Sequence, residues 1–222
     1  DAAQEGEDDI PGAGIAMSNV DAGTAVGATD RLVLKNKNIR FGNEGQPSFN
    51  AGTGLLEQPF YNNGGQWYKL TYSSNGLEDA MRYGGTGSGW NKEGWDNLPQ
   101  MIGTPKILNS LFEERPEDAA NGHRFGHGTL SSITKYSCSN NITLTVTRMC
   151  TLGLMETSAE FTTHFAVTGG NLQNFRYWFG TRDDYVGSSD SPKKEIGYFD
   201  TNAKFTLASG AHSKRREWLC MS

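Results

Sequence analysis

A strict alternation of apolar and polar residues is the feature that most constrains what this chain can fold into. Residues 142–147 show it most clearly, because Ile, Leu and Val alternate there with three threonines. This pattern is typical of a strand in an antiparallel sheet that buries one face and exposes the other. Further candidate strands are residues 31–34, 39–41, 67–72, 130–136, 149–157, 159–168, 174–179, 195–199 and 203–208.

Turn-forming residues separate these candidate strands, as in Ser139-Asn140-Asn141 and Gly169-Gly170-Asn171. Many short strands joined by such turns predict an all-β domain, an antiparallel β-sandwich, over residues 31–222. The one helical candidate is residues 106–114, which lack a clear amphipathic stripe. Residues 43–97 are dense in Gly, Asn and aromatic residues, so we expect long loops there, and long loops on a rigid sheet are often functional.

Residues 1–30 form a separate acidic segment. They hold seven of the 25 acidic residues of the chain and none of its 20 lysines and arginines, and they are rich in Ala and Gly. Such a composition buries too little apolar surface to fold alone, so the segment is either solvated or docked on its own domain or a neighbouring subunit. For docking, the expected contact residues are Ile10, Ile15, Met17, Val20 and Val26. A basic cluster at Lys214–Arg216 could attract the acidic segment across subunits.

Tryptophans in the Gly/Asn-rich region have two interpretations. Trp67, Trp90 and Trp95 either pack in a core or interface, or form an exposed platform on which a sugar ring stacks. The acidic stretch 181–190 also has two interpretations. Asp183, Asp184 and Asp190 supply the hard oxygen ligands that calcium prefers, but Asp side chains equally cap turns and pair with Arg182.

Two features concern the compartment of the protein. Asn141-Ile142-Thr143 is the only N-x-[ST] glycosylation acceptor in the chain, and it lies beside a predicted turn. The three cysteines, Cys138, Cys150 and Cys220, allow three alternative single disulfides with one thiol left over, which could pair with another chain. Together these features favour an extracellular or cell-surface location.

The sequence lacks the patterns that several classes of protein require. A net charge of −5 argues against nucleic-acid binding, and no stretch approaches the ~20 apolar residues that a membrane span needs. The first ten residues, without a basic start or an apolar stretch, do not resemble a signal peptide. The pair His123 and His127 has metal-ligand spacing only on a helix, and its flanking glycines predict an ordinary loop. No catalytic motif is evident, so we expect a protein that is not an enzyme and needs no cofactor, with the calcium alternative left open.

Residues from about 130 to 195 resemble β-sandwich modules of large secreted surface and adhesin-like proteins. The resemblance rests on the stretch FRYWFGTRDDYVGSSDSPKK and on the meander ITLTVTRMCTLGLMETSAEFTTHFAVTGG that precedes it. It implies an extracellular β-sandwich in a structural or adhesive setting and brings no catalytic residues with it.

Taken together, these observations predict a non-enzymatic extracellular structural protein. It would associate with copies of itself in a filament, sheath or surface layer, and its N-terminal segment would dock on a neighbouring subunit. The alternative is a carbohydrate-binding or adhesive module, ordered by calcium at the acidic stretch. The sequence is also compatible with a fragment of a larger protein.

Overall fold

A computed structural model describes residues 24–25, 31–43, 46–71, 76–85, 97–115, 122–138 and 141–180, together with strands at 194–199, 205–207 and 218–221. Over these residues the fold is all-β, without an α-helix, and its several sheets do not close into a barrel. The strands are β1 (Thr24–Ala25), β2 (Arg31–Leu34), β3 (Ile39–Phe41), β4 (Pro59–Asn63), β5 (Gln66–Lys69), β6 (Glu78–Arg82), β7 (Gln100–Asn109), β8 (Glu113–Glu114), β9 (His123–Ser137), β10 (Thr143–Leu152), β11 (Glu160–Thr168), β12 (Arg176–Gly180), β13 (Lys194–Phe199), β14 (Phe205–Leu207) and β15 (Trp218–Met221).

The main sheet follows the order β1-β7-β9-β10-β11 and is antiparallel along this path. Its centre is the hairpin of β9 and β10, in which Ser137 pairs with Thr143 and Leu130 with Cys150. The first half of β9 also pairs with β2 on one side and with β8 on the other. The pairing with β2 is parallel, which departs from the purely antiparallel sheet expected from the sequence.

Three smaller sheets accompany the main one. The order β3-β4-β5 forms the first, β6 pairs with β12 in the second, and β14-β13-β15 forms the third. The β6–β12 sheet packs on the outer part of the main sheet through aromatic side chains. Phe165 of β11 lies 4.8 Å from Tyr177 and 5.1 Å from Phe175, and Phe161 lies 5.6 Å from Phe179, between ring centroids.

One face of β10 carries the core. Leu144 and Val146 belong to a hydrophobic cluster with Met81, Tyr83, Tyr136, Cys138 and Ile142. Farther along the same face, Cys150 and Leu152 belong to a second cluster with Leu32, Leu34, Phe41, Phe49, Leu56 and Leu130. The aliphatic half of the alternating pattern therefore faces inward, as the sequence predicted. The threonine half does not all face solvent, because Thr147 lies between Ile133 and His164 on the neighbouring strands and is only 4% exposed.

Several sequence-based predictions of local structure were wrong. Residues 106–114 form no helix; they lie in the end of β7, a short connection and β8, where the chain pairs with β9. Part of the predicted loop region 43–97 forms β4, β5 and β6. His123 and His127 lie in β9 rather than in a loop. The predicted strands 142–147 and 149–157 are one continuous strand up to Leu152.

The acidic N-terminal segment contains one described element. Thr24 and Ala25 form β1 and pair with Asn109 and Leu108 of β7. The five predicted contact residues of the segment, Ile10, Ile15, Met17, Val20 and Val26, lie outside the described residues. No helix in the described ranges is long and apolar enough to cross a membrane.

Candidate functional site

A basic cleft lies where the β2–β3 turn meets the β4–β5 hairpin. Its volume is about 250 Å³, and its lining residues are Lys35, Asn36, Lys37, Asn62, Trp67 and Arg115. Among these described lining residues three carry a positive charge and none a negative one. The described lining of the cleft is therefore basic.

Asn36 fixes the shape of this cleft. Its side chain is 1% exposed, and its carbonyl oxygen accepts hydrogen bonds from the backbone N–H groups of Asn38 at 2.8 Å and Ile39 at 2.7 Å. Its amide group donates to the carbonyl oxygens of Gly153 at 2.7 Å and Glu156 at 2.8 Å. Asn36 thus shapes the β2–β3 turn and ties it to the loop between β10 and β11.

The hairpin wall of the cleft is held by a second asparagine. Asn62 pairs with Trp67 across β4 and β5, and its side chain donates to the carbonyl oxygen of Lys37 at 2.9 Å. The backbone N–H of Asn62 donates to the Asn38 carbonyl at 2.8 Å. These bonds hold the hairpin against the turn, so both walls of the cleft are positioned mainly by hydrogen bonds between asparagine side chains and the backbone.

The cations reach the cleft from three directions. Lys35 extends over the ring of Phe125, with its Nζ 4.9 Å from the ring centroid. Lys37, in the turn, is exposed, whereas Arg115 follows β8 and donates its backbone N–H to the Phe125 carbonyl at 2.7 Å. The glutamates that precede Arg115 contact other cations, since Glu114 binds Arg124 at 2.7 Å and Glu113 lies 3.3 Å from His127.

Trp67 is a wall of this cleft rather than an open platform. The ring is half-buried, and the guanidinium of Arg40 lies 4.9 Å from its centroid and 4.5 Å from that of Phe60. A cation against the ring restricts the face on which a sugar could stack. Trp90 and Trp95, the other two predicted stacking residues, lie outside the described residues.

A second charged site is buried between the two hydrophobic clusters. Arg148 of β10 forms an ion pair with Asp79 of β6, and their side chains are 4% and 6% exposed. The Arg148 Nε lies 2.7 Å from the Asp79 carboxylate, and the remaining nitrogens donate to the hydroxyls of Thr134 and Tyr136, each at 3.1 Å. Burial opposes the charge, but Asp79 and Tyr136 outweigh it and raise the pKa of Arg148. This site joins the β6–β12 sheet to the main sheet and has the geometry of a structural link.

Among the described strands, β11 forms one edge of the main sheet. No described strand other than β10 pairs with it, and three of its apolar side chains are well exposed: Phe161 at 39%, Phe165 at 37% and Val167 at 38%. At the opposite edge, β1 pairs only with Leu108 and Asn109 of β7, and Met101 farther along β7 is 46% exposed. Open apolar edges of this kind are templates for pairing with another chain.

The two open edges match in register. Met101 pairs with Tyr136, Tyr136 with Leu144, and Leu144 with Val167. Met101 and Val167 are therefore the two ends of one row of side chains across four strands, on the same face of the sheet. Because β7 and β11 run in opposite directions, β11 of one copy beside β7 of another would continue the sheet as an antiparallel pair.

Three of the predicted cysteine and glycosylation residues lie in the described part of the chain: Cys138, Cys150 and Asn141. Cys138 and Cys150 carry buried free thiols at opposite ends of the β9–β10 hairpin, about 26 Å apart along the strands. A disulfide between these two residues is therefore excluded, and burial raises the pKa of both thiols. Asn141 is exposed at the hairpin turn and has a φ of 61°.

The remaining predicted sites lie outside what the structure describes. These are Asp183, Asp184 and Asp190 and the side chain of Cys220, of which only the strand backbone in β15 is described. Among the described residues no group of three or more His, Cys, Asp and Glu side chains could hold a metal ion.

The sequence analysis missed the basic cleft, the buried ion pair and the matched edges. The run Lys35-Asn36-Lys37-Asn38 directly after an apolar strand was a visible signal for the first of these. Arg115 gave no such signal, because only the pairing of β8 with β9 brings it to the cleft.

Comparison with known proteins does not assign this chain to a family. No protein-family model, curated protein or solved structure matches this chain. The resemblance of residues 130–195 to surface-protein modules accordingly stays a prediction.

Proposed function

We propose that this chain is a structural subunit that associates with copies of itself outside the cell, in a filament, sheath or surface layer. The observation that carries the proposal is the match between the open edges of β7 and β11, which present apolar side chains at the two ends of one row. Contact between two different patches is heterologous, and repeated heterologous contacts generate rings or open filaments. The N-terminal segment would dock on the neighbouring subunit.

The proposal also includes a sandwich-like arrangement of the sheets. The β6–β12 sheet lies on the core face of the main sheet through the aromatic contacts of Phe161 and Phe165, which supports a sandwich-like arrangement of layers. Such an arrangement covers the face of the main sheet and leaves β11 and most of β7 without a described neighbouring strand at its two edges. The exposed acceptor Asn141 supports an extracellular location.

The test compares two lysine substitutions in the purified chain, by light scattering and electron microscopy. Val167→Lys introduces a charge into the proposed contact, and Ser137→Lys introduces the same charge at an exposed position of the central strand β9. Polymers are expected for the wild type and for Ser137→Lys, and loss of polymers for Val167→Lys, because strand edges that carry lysine resist pairing. A monomeric wild-type chain of about 24.3 kDa would refute the proposal.

The carbohydrate-binding alternative has less support. Trp67 and Asn62 line a cleft of suitable size, but Arg40 covers part of the Trp67 ring and the cleft is basic. Glycan retention that is lost in Trp67→Ala, without a change in melting temperature, would favour this alternative. Calcium at the acidic stretch 181–190 is tested by the same binding measurement with and without a chelator.

A further inference from the structure

Strand β1 occupies part of the edge that the proposed function assigns to self-association. Thr24 pairs with Asn109 and Ala25 with Leu108, so β1 covers the last two residues of β7. Over residues 100–107, β7 has no described strand beside it on the side of β1. Among the described strands, this edge is therefore open over most of its length and covered at one end.

The register of the main sheet places β1 where β11 of a neighbouring copy would lie. Two rows of paired residues run from the partners of β1 across β9 and β10 to β11: Asn109-Leu130-Cys150-Phe161 and Leu108-Ser131-Met149-Thr162. If β11 of the next copy continues these rows, its Phe161 and Thr162 reach the two positions that β1 occupies. Both strands would run antiparallel to β7, so they would compete for the same backbone groups of Leu108 and Asn109.

The two competing strands differ in length and in apolar surface. β1 has two residues, and Ala25 is exposed, so β1 makes few ladder hydrogen bonds and buries little. β11 has nine residues and three exposed apolar side chains, Phe161, Phe165 and Val167. An incoming β11 can pair first with the open part of β7 and then advance toward β1. Each bond to β1 that breaks is then replaced by a bond to β11, so no backbone group of β7 is left without a partner.

We infer that β1 is an internal cap of the β7 edge, which β11 of an incoming copy displaces when two copies associate. The inference rests on the proposed function, because it requires β7 of one copy to pair with β11 of another. In the single chain, β1 protects part of an otherwise open edge. In the assembly the same two residues leave the sheet, so the rate of association depends on how firmly β1 is held.

A disulfide that locks β1 onto β7 tests the displacement. Thr24→Cys with Asn109→Cys joins two directly paired residues, and the Cα separation of such a pair, roughly 4.5–5.5 Å, suits a disulfide. Light scattering follows polymer formation by the oxidised and by the reduced protein. The oxidised form should assemble at least about tenfold more slowly, because its β1 cannot leave the edge. Equal rates in the two forms would overturn the inference.

The matched control is Asn109→Cys alone. The side chain of Asn109 accepts a hydrogen bond from the backbone N–H of Phe112 at 2.8 Å, and both variants lose this bond. Only the double variant can lock β1, so assembly of the single variant should not depend on oxidation. An equal slowing of the oxidised control would show that the locked strand is not the cause and would also overturn the inference.

A substitution that weakens β1 should have the opposite effect. Ala25→Pro removes a backbone N–H donor and fixes φ, which disfavours a paired strand. It should shorten the lag before polymers form by roughly threefold or more, because the cap is held less firmly. Ala3→Pro makes the same change outside β1 and should leave the lag unchanged. A lag that is unchanged or longer in Ala25→Pro would contradict the inference, because β1 would then not oppose association.

Hydrogen exchange followed by mass spectrometry separates the inference from the proposed function. When wild-type chains assemble, peptides that contain residues 24–25 should lose protection, and those of β11 should gain it. Polymers in which residues 24–25 stay protected would refute the inference and leave the proposed self-association intact. Wild-type chains that remain monomeric would refute both.

Discussion

At the scale of single residues, the most consequential feature is the buried ion pair of Arg148 and Asp79. Arg148 interrupts the apolar face of β10 between the two hydrophobic clusters, at a position where an aliphatic residue would continue the alternation. In the sequence, Arg148 simply follows an alternating run, and its partner lies 69 positions away on β6. No local pattern reports a pair of this kind, because burial and pairing are set by how the sheets pack.

Asp79→Ala should therefore destabilise the protein by about 3–5 kcal/mol, since it leaves the buried guanidinium of Arg148 without its carboxylate. Guanidinium chloride unfolding, followed by circular dichroism, measures the change. Glu114→Ala, which removes the exposed partner of Arg124, is the matched control and should cost less than about 1 kcal/mol. The double variant Asp79→Leu with Arg148→Met should recover most of the loss; an equal loss in the double variant would mean that the charge pair itself is indispensable.

At the scale of elements, alternation of apolar and polar residues predicted strands well where turn residues also marked the ends of the alternating stretch. Residues 31–34 and 39–41 form strands with the predicted bounds, and 159–168 forms β11 with one residue fewer. Alternation failed for β7 and β8, whose residues are largely exposed and gain their strand conformation from pairing with β9. Arg115 escaped prediction for the same reason, because the pairing of β8 with β9 brings it to the cleft.

Gly128 shows what this pairing demands of β9. Its φ is +107°, and a Cβ placed there would lie 1.9 Å from the carbonyl oxygen of Leu111, in the chain between β7 and β8. Only a residue without a side chain allows that close approach. Gly128 therefore allows the connection between β7 and β8 to lie close to β9, with which both strands pair.

Gly128→Ala should destabilise the fold by at least about 2–3 kcal/mol, because the left-handed backbone strain adds to a clash with main-chain atoms. Gly122→Ala is the control, since Gly122 also has a positive φ of 74°, but no atom of the described residues lies within 4 Å of the position of a Cβ there. We expect a cost of only about 1 kcal/mol there. Equal losses in thermal denaturation would show that the close approach to Leu111 does not matter.

At the scale of the whole molecule, the proposed self-association depends on one row of side chains across the main sheet. The row runs from Met101 through Tyr136 and Leu144 to Val167. If β11 pairs with β7 of the next copy, each subunit has two different contact surfaces and the assembly is directional. If β11 instead pairs with β11, the contact is symmetric and closes as a dimer. Lysine substitutions at the two ends of the row distinguish these arrangements.

For the directional arrangement, Met101→Lys and Val167→Lys should each remain monomeric when pure, because each variant chain has one blocked edge. Mixed in equal amounts, they should form a dimer and nothing larger. The intact β11 edge of Met101→Lys can pair with the intact β7 edge of Val167→Lys, and both remaining edges of the dimer are blocked. Sedimentation velocity measures the species directly. Dimers of pure Met101→Lys would instead indicate pairing of β11 with β11 and would overturn the directional model, because that contact leaves the β7 edge unused.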